Sequence, residues 1–156
     1  MPIKSHTVAA ISAAALVMGC ATPRPPPSTL QVNVNFSPQD QSGPSKRIAR
    51  GAISGVPQRV GFYYSVNPDC TSDGLVQLRL KSAPSHGAVD FAQGEGYSNF
   101  PQTSPGHECN RQRSPGVEVI YTSAKNFSGE DRFTVQGVGP KGKFMETDYT
   151  VNVLAP

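Results

Sequence analysis

From residue 48 onward the chain is a succession of short runs in which apolar and polar side chains alternate, each cut off by proline, glycine or a cluster of Asn, Asp and Ser. A period of two is that of a strand with one buried face, so each run must find a second apolar surface to cover it. Leu75 to Leu80 is the plainest case, with Val76, Leu78 and Leu80 on one face and Gln77, Arg79 and Lys81 on the other. Ile48 to Ile53, Arg59 to Val66, Ala88 to Phe91, Val117 to Tyr121, Phe133 to Val135 and Phe144 through Val153 read the same way. With 15 Gly, 15 Pro, no Trp and 37% hydrophobic residues, turn formers disfavour long helices and the chain fills one modest core. About seven strands of this kind predict an all-β fold of two packed antiparallel sheets with Greek-key wiring.

The amino-terminal part obeys other rules. Lys4, an apolar run from Val8 to Met18 and then Val17-Met18-Gly19-Cys20 read as a secretory signal ending at a cysteine, too short to span a bilayer comfortably. Residues 21–29, rich in proline, form an extended spacer because proline fixes φ and removes donors. Leu30 to Phe36 alternates apolar and polar side chains, and is either a first strand of the domain or an arm that docks on a sheet edge; burial of its four apolar side chains favours the strand. The expected organisation is therefore a signal over 1–20, a linker over 21–29 and a sandwich over 30–156.

The first 22 or so residues resemble a bacterial lipoprotein signal with its lipobox, although Val17 stands where leucine is commoner. The resemblance implies that the Cys20 thiol carries a thioether-linked diacylglycerol and becomes the mature amino terminus, anchoring the protein to a membrane; the expected lipid chains are palmitate. Ala21 follows with no Asp beside it, which by the same resemblance points to the outer membrane of a two-membrane host. With Cys20 used by lipid, Cys70 and Cys109 remain as an even pair in an oxidising compartment, and one disulfide is the economical expectation. A metal reading of Cys70, His86, His107, Glu108 and Cys109 lacks the short paired spacing of a zinc site, so neither a metal nor another cofactor is expected. Loss of residues 1–20 removes Lys4, leaving 13 basic against 11 acidic residues, a weakly basic protein with no nucleic-acid partner expected.

Motifs that could carry chemistry fail one by one. Gly137 to Lys143 begins like a phosphate loop, but Phe144 occupies the place of the magnesium-binding Ser or Thr and no helix follows, so Gly139-Pro-Lys-Gly142 is a hairpin tip. Ser85 beside His86 does not aim a hydroxyl at an imidazole, and Pro84-Ser-His-Gly87 is a turn. Asn126-Phe-Ser-Gly-Glu-Asp131-Arg-Phe133 reads as a polar corner: Phe127 and Phe133 enter the core, Gly129 permits the turn, and Asn126 and Asp131 bond to backbone groups freed where strands change sheets, with calcium as the alternative role of Asp131. Ala83-Pro-Ser-His-Gly-Ala-Val89, Val119-Ile-Tyr121-Thr and this corner resemble bacterial Ig-like and cadherin-like surface modules over roughly residues 50–153, with Ser123 where proline is usual. The resemblance implies an Ig-like sandwich and a binding or structural role at the cell envelope, without catalysis. The expected ligand surface is the aromatic run Phe62, Tyr63 and Tyr64, a sugar platform if the rings are exposed or plain strand packing if not, together with Arg111 and Arg113 on a long loop over 92–116. An envelope protein or a glycan such as peptidoglycan is the expected partner.

Overall fold

Seven strands and one short 3-10 helix order the backbone of the computed structural model, which describes residues 45–156. The strands are β1 (Lys46–Ile53), β2 (Gln58–Tyr64), β3 (Gln77–Ser82), β4 (Gly87–Tyr97), β5 (Arg113–Ser123), β6 (Gly129–Val138) and β7 (Phe144–Leu154), and the helix is Pro105–Arg111. The signal segment with Cys20, the spacer over 21–29 and the run Leu30 to Phe36 lie outside the described residues.

Two sheets face each other, one of four strands ordered β1-β7-β6-β3 and one of three ordered β2-β5-β4. Placing β2, β5 and β4 against β3, β6 and β7 is the strand arrangement of an Ig-type sandwich, with the first strand carried by β7. That first pairing is parallel, Lys46 opposite Thr147 through Ile53 opposite Leu154, where a purely antiparallel sandwich was expected. The cause is the turn after Ile53: Gly55, at φ 70°, sends the chain across to the other sheet instead of back along β1. β1 and β2 therefore become the edge strands on the same flank of the sandwich, one in each sheet.

The core forms from inward residues of both sheets. Tyr121 on β5, Phe133 on β6 and Tyr149 on β7 stack in near-parallel planes, with centroids 5.8 and 4.8 Å apart, and Val119, Val135 and Val151 fill the space around them. Aromatic rings of this size dominate the apolar area a small sandwich can bury.

The expected short strand Ala88 to Phe91 is in fact eleven residues long, Gly87–Tyr97, and pairs with β5 along its whole length. The expected loop over 92–116 shrinks to residues 98–112, much of it taken up by the 3-10 helix. The difference lies in the glycines. A Cβ on Gly96 or Gly116 would collide with the ring of Phe62, so these residues are strand positions whose outer face is already occupied by an aromatic from β2. Ser104 caps the helix through its side chain, and Cys109 within it is buried and bonded to Cys70, with Cα atoms 5.2 Å apart.

Candidate functional site

The two ends of the sandwich are built differently. At one end the turn between β3 and β4 meets the corner between β5 and β6. Asp131, buried at the start of β6, accepts from the backbone N–H of Ser85 at 2.9 Å and of His86 at 3.0 Å, from the Tyr121 hydroxyl at 2.9 Å and from the N–H of Arg132 at 3.0 Å. Burial on its own would raise the Asp131 pKa, but these donors outweigh it and hold the carboxyl below the usual carboxylate range. Burial and the neighbouring carboxylate push Tyr121 in the opposite direction, so its hydroxyl remains a donor.

Phe133 is buried in the ring stack, whereas Phe127 is half-buried and lies flat on the imidazole of His86, 4.2 Å between centroids. Asn126 takes a left-handed conformation at φ 63° and Gly129 sits at φ 128°. The Pro-Ser-His-Gly turn and the Asn-Phe-Ser-Gly corner, separate in sequence, thus form one bonded unit. Asp131 serves the turn's backbone, and the His86 imidazole Nδ1 lies 3.9 Å from its carboxylate.

The aromatic run on β2 divides between two faces, as alternation requires. Phe62 and Tyr64 stack on each other at 5.9 Å on the outer face of the three-stranded sheet, and Tyr64 meets the edge of Phe100 at 5.5 Å while its hydroxyl accepts from the N–H of Asn99 at 2.7 Å. Arg59 lies over Phe62 and pairs with Glu118 at 2.8 Å. Tyr63 points the other way, into the sandwich, where its hydroxyl accepts from that of Tyr149 at 3.2 Å and bonds Thr147. Burial raises the pKa of both phenols, so they stay protonated and uncharged.

Those hydroxyls form the floor of a groove of about 820 Å³ between the edges of the two sheets, within the size range of ligand sites. Ile48 of β1, Val76, Phe100 and Met145 supply apolar wall, and Lys46, Arg50, Lys141 and Lys143 stand at its margin. Arg50 donates from Nε to the Val60 carbonyl at 3.0 Å, and Lys141 is tied to Asp73 at 3.1 Å and to Asn67 at 3.0 Å. The disulfide helps to shape the groove's far side: it joins the loop bearing Ser65, Val66 and Asp73 to the loop bearing Asn99 and Phe100, and Gln112 adds a bond to the Cys70 carbonyl at 3.0 Å.

Arg111 and Arg113 do not join the aromatics in this groove. Arg111 pairs with Glu108 on its own helix at 2.7 Å, and Arg113 donates to the Glu95 carbonyl at 3.0 Å on the opposite edge strand. The cations that do converge, Lys46, Arg50 and Lys143, sit on β1 and in the β6–β7 turn; Lys46 and Arg50 are close in sequence, with Arg47, as a basic cluster, and the parallel docking of β1 brings Lys143 to them. Among the described residues no three His, Cys, Asp or Glu side chains cluster closely enough to hold a metal ion, and no helix is long and apolar enough to cross a membrane.

No family model matches this sequence, and no curated protein is similar to it. Among solved structures, the solution structure of Amebosin aligns with 72% of this chain and 100% of its own at 12% identity and a TM-score of 0.36. A 2,6-sialyltransferase of Vibrionaceae Photobacterium sp. JT-ISH-224, solved with CMP and lactose, aligns with 74% of this chain and 19% of its own at 18% identity and a TM-score of 0.32.

Proposed function

We propose that this chain is an exported, lipid-anchored Ig-like module that binds a partner at the cell envelope and performs no catalysis. The observation that carries the reading is the Cys70–Cys109 disulfide. Such bonds persist in oxidising compartments, where a signal segment ending at Cys20 would deliver the domain, and the bond is spent on bracing the loops beside the groove. In this reading Cys20 holds the lipid, the spacer over 21–29 sets the domain off the bilayer, and the outer membrane is the site of anchoring in a two-membrane host. The non-catalytic part is supported by His86, stacked on Phe127, and by His107, whose Nδ1 lies 3.3 Å from both the Phe100 carbonyl and the Asn110 amide.

Growing the expressing cells with labelled palmitate tests it. Label should enter the protein and be lost in Cys20→Ser, which should also leave the membrane fraction; an unlabelled protein that fractionates like Cys20→Ser contradicts the anchor. The second reading, a glycan-binding lipoprotein, rests on the outward patch of Phe62, Tyr64 and Phe100. Retention on purified wall sacculi, lost in Phe62→Ala, would favour it over a protein partner.

A further inference from the structure

The walls of the groove are strand edges. β1 pairs only with β7 and β2 only with β5, so each turns one side of its backbone away from its sheet. Val60 is skipped where the β2–β5 register shifts between Arg59 and Gly61, and its carbonyl is taken by the Arg50 side chain; the edge beyond it, Gly61 to Tyr64, keeps regular pairing with β5. Edges of this kind recognise extended peptides by strand addition, with main-chain bonds for affinity and the flanking surface for selectivity.

The flanking surface is apolar at Ile48, Phe100 and Met145 and cationic at the rim, and its two carboxylates are already engaged, Asp73 by Lys141 and Glu146 by Lys81 and Gln136. Lys46 and Lys143 are exposed and have no carboxylate partner among the described residues, in contrast to Lys141 with Asp73. The chain's own amino-terminal part has little to answer that charge. Residues 1–44 contain a single carboxylate side chain, Asp40, and Leu30 to Phe36 contain none.

We infer that this groove takes an extended acidic segment of a partner protein, laid as an added strand along Gly61 to Tyr64 with its carboxylates at Lys46 and Lys143. The inference deepens the binding-module reading and rests on it, but it is tested without reference to the lipid.

Full-length protein in mild detergent is titrated calorimetrically with a short capped peptide alternating Val and Glu. The same titration is run with a peptide alternating Val and Lys, with the Glu peptide N-methylated at alternate backbone positions, and with an oligogalacturonate as an anionic glycan. The Glu peptide should bind and slow hydrogen exchange at the Gly61 to Tyr64 amides. Binding should weaken about tenfold or more when Lys46→Glu and Lys143→Glu are combined, since like charge then faces like charge at exposed positions that leave the fold intact. N-methylation should abolish it. Equal binding of the Lys peptide, indifference to N-methylation or to charge reversal, tighter binding of the oligogalacturonate, binding that emerges only after residues 30–36 are deleted, or no binding at all each overturns the inference. Palmitate labelling that succeeds alongside such a result would confine the failure to the groove.

Discussion

Asp131 joins two segments that are 45 residues apart in sequence, and it does so with a charge placed where water cannot reach it. An Asn at this position would turn its amide toward groups that are themselves donors. Asp131→Asn should therefore lower stability at neutral pH by about 2–3 kcal/mol, read from urea unfolding with the disulfide intact. The pH dependence follows from the direction of the shift. The folded-state pKa lies below the unfolded value of about 3.9, so the stabilisation is present in full above that value and is lost as pH falls through the folded one. The gap between wild type and Asp131→Asn should accordingly narrow below about pH 4. Gly61 is a second sensitive position: any Cβ there would run into the Tyr149 hydroxyl on the groove floor. Gly61→Ala should cost about 1–3 kcal/mol and disturb the Tyr63–Tyr149 bond, seen as a change in near-ultraviolet tyrosine circular dichroism. The part played by Asp131 could be read from sequence, since an Asp after a glycine turn and before an apolar run suits backbone capping. That its partners lie in the Ser85–His86 turn could not, because the pairing is made across the sandwich.

At the scale of elements, alternation located all seven strands, but glycine content hid the length of β4. Gln93-Gly-Glu-Gly96 reads as loop by composition, yet Gly94 and Gly96 face side chains of Glu118 and Phe62 that fill the space their own would need. Phe62 and its glycine bed act as one packing unit, so Gly96→Val should displace the ring and destabilise the β4–β5 ladder by about 1–3 kcal/mol. Residues 98–112 show how an irregular segment is fixed without a sheet partner. Asn110 accepts from the Ser98 hydroxyl and the Phe100 N–H and donates to the Phe100 carbonyl, and the disulfide ties the helix to the loop after β2. Cys70→Ser combined with Cys109→Ser should lose about 3–4 kcal/mol on the chain-entropy account, checked by chemical denaturation against the oxidised parent. Hydrogen exchange should localise the loosening to 65–76 and 98–112 more than to the ring-stacked core.

The whole molecule separates a braced end from an open one. The corner with Asp131, the turn at Gly55 and the end of β7 lie together, joined further by the Gly55 N–H donating to the Ser123 hydroxyl at 2.9 Å. The chain enters β1 at the opposite end, at Lys46, beside the groove and the disulfide-braced loops. From the sequence, Phe62, Tyr63, Tyr64, Arg111 and Arg113 are expected to form one surface. The fold keeps the three aromatics at the groove, Tyr63 facing inward and Phe62 with Tyr64 on the outer side of the β2 edge, and sends Arg111 and Arg113 elsewhere, because strand alternation and the β4–β5 pairing set where each side chain points. The candidate surface therefore follows from topology, above all from β1 docking parallel on β7; its aromatics and the basic cluster at Lys46 and Arg50 are legible in the sequence, and their meeting with Lys143 is not. If binding at the envelope takes place in this groove, photo-cross-linking in intact envelopes will report it. A photoreactive residue at Lys143 should give a discrete protein adduct that disappears when Lys46→Glu is added, while the same residue at Asn126 on the corner gives none. Equal adducts from both positions, or none from Lys143, would contradict it.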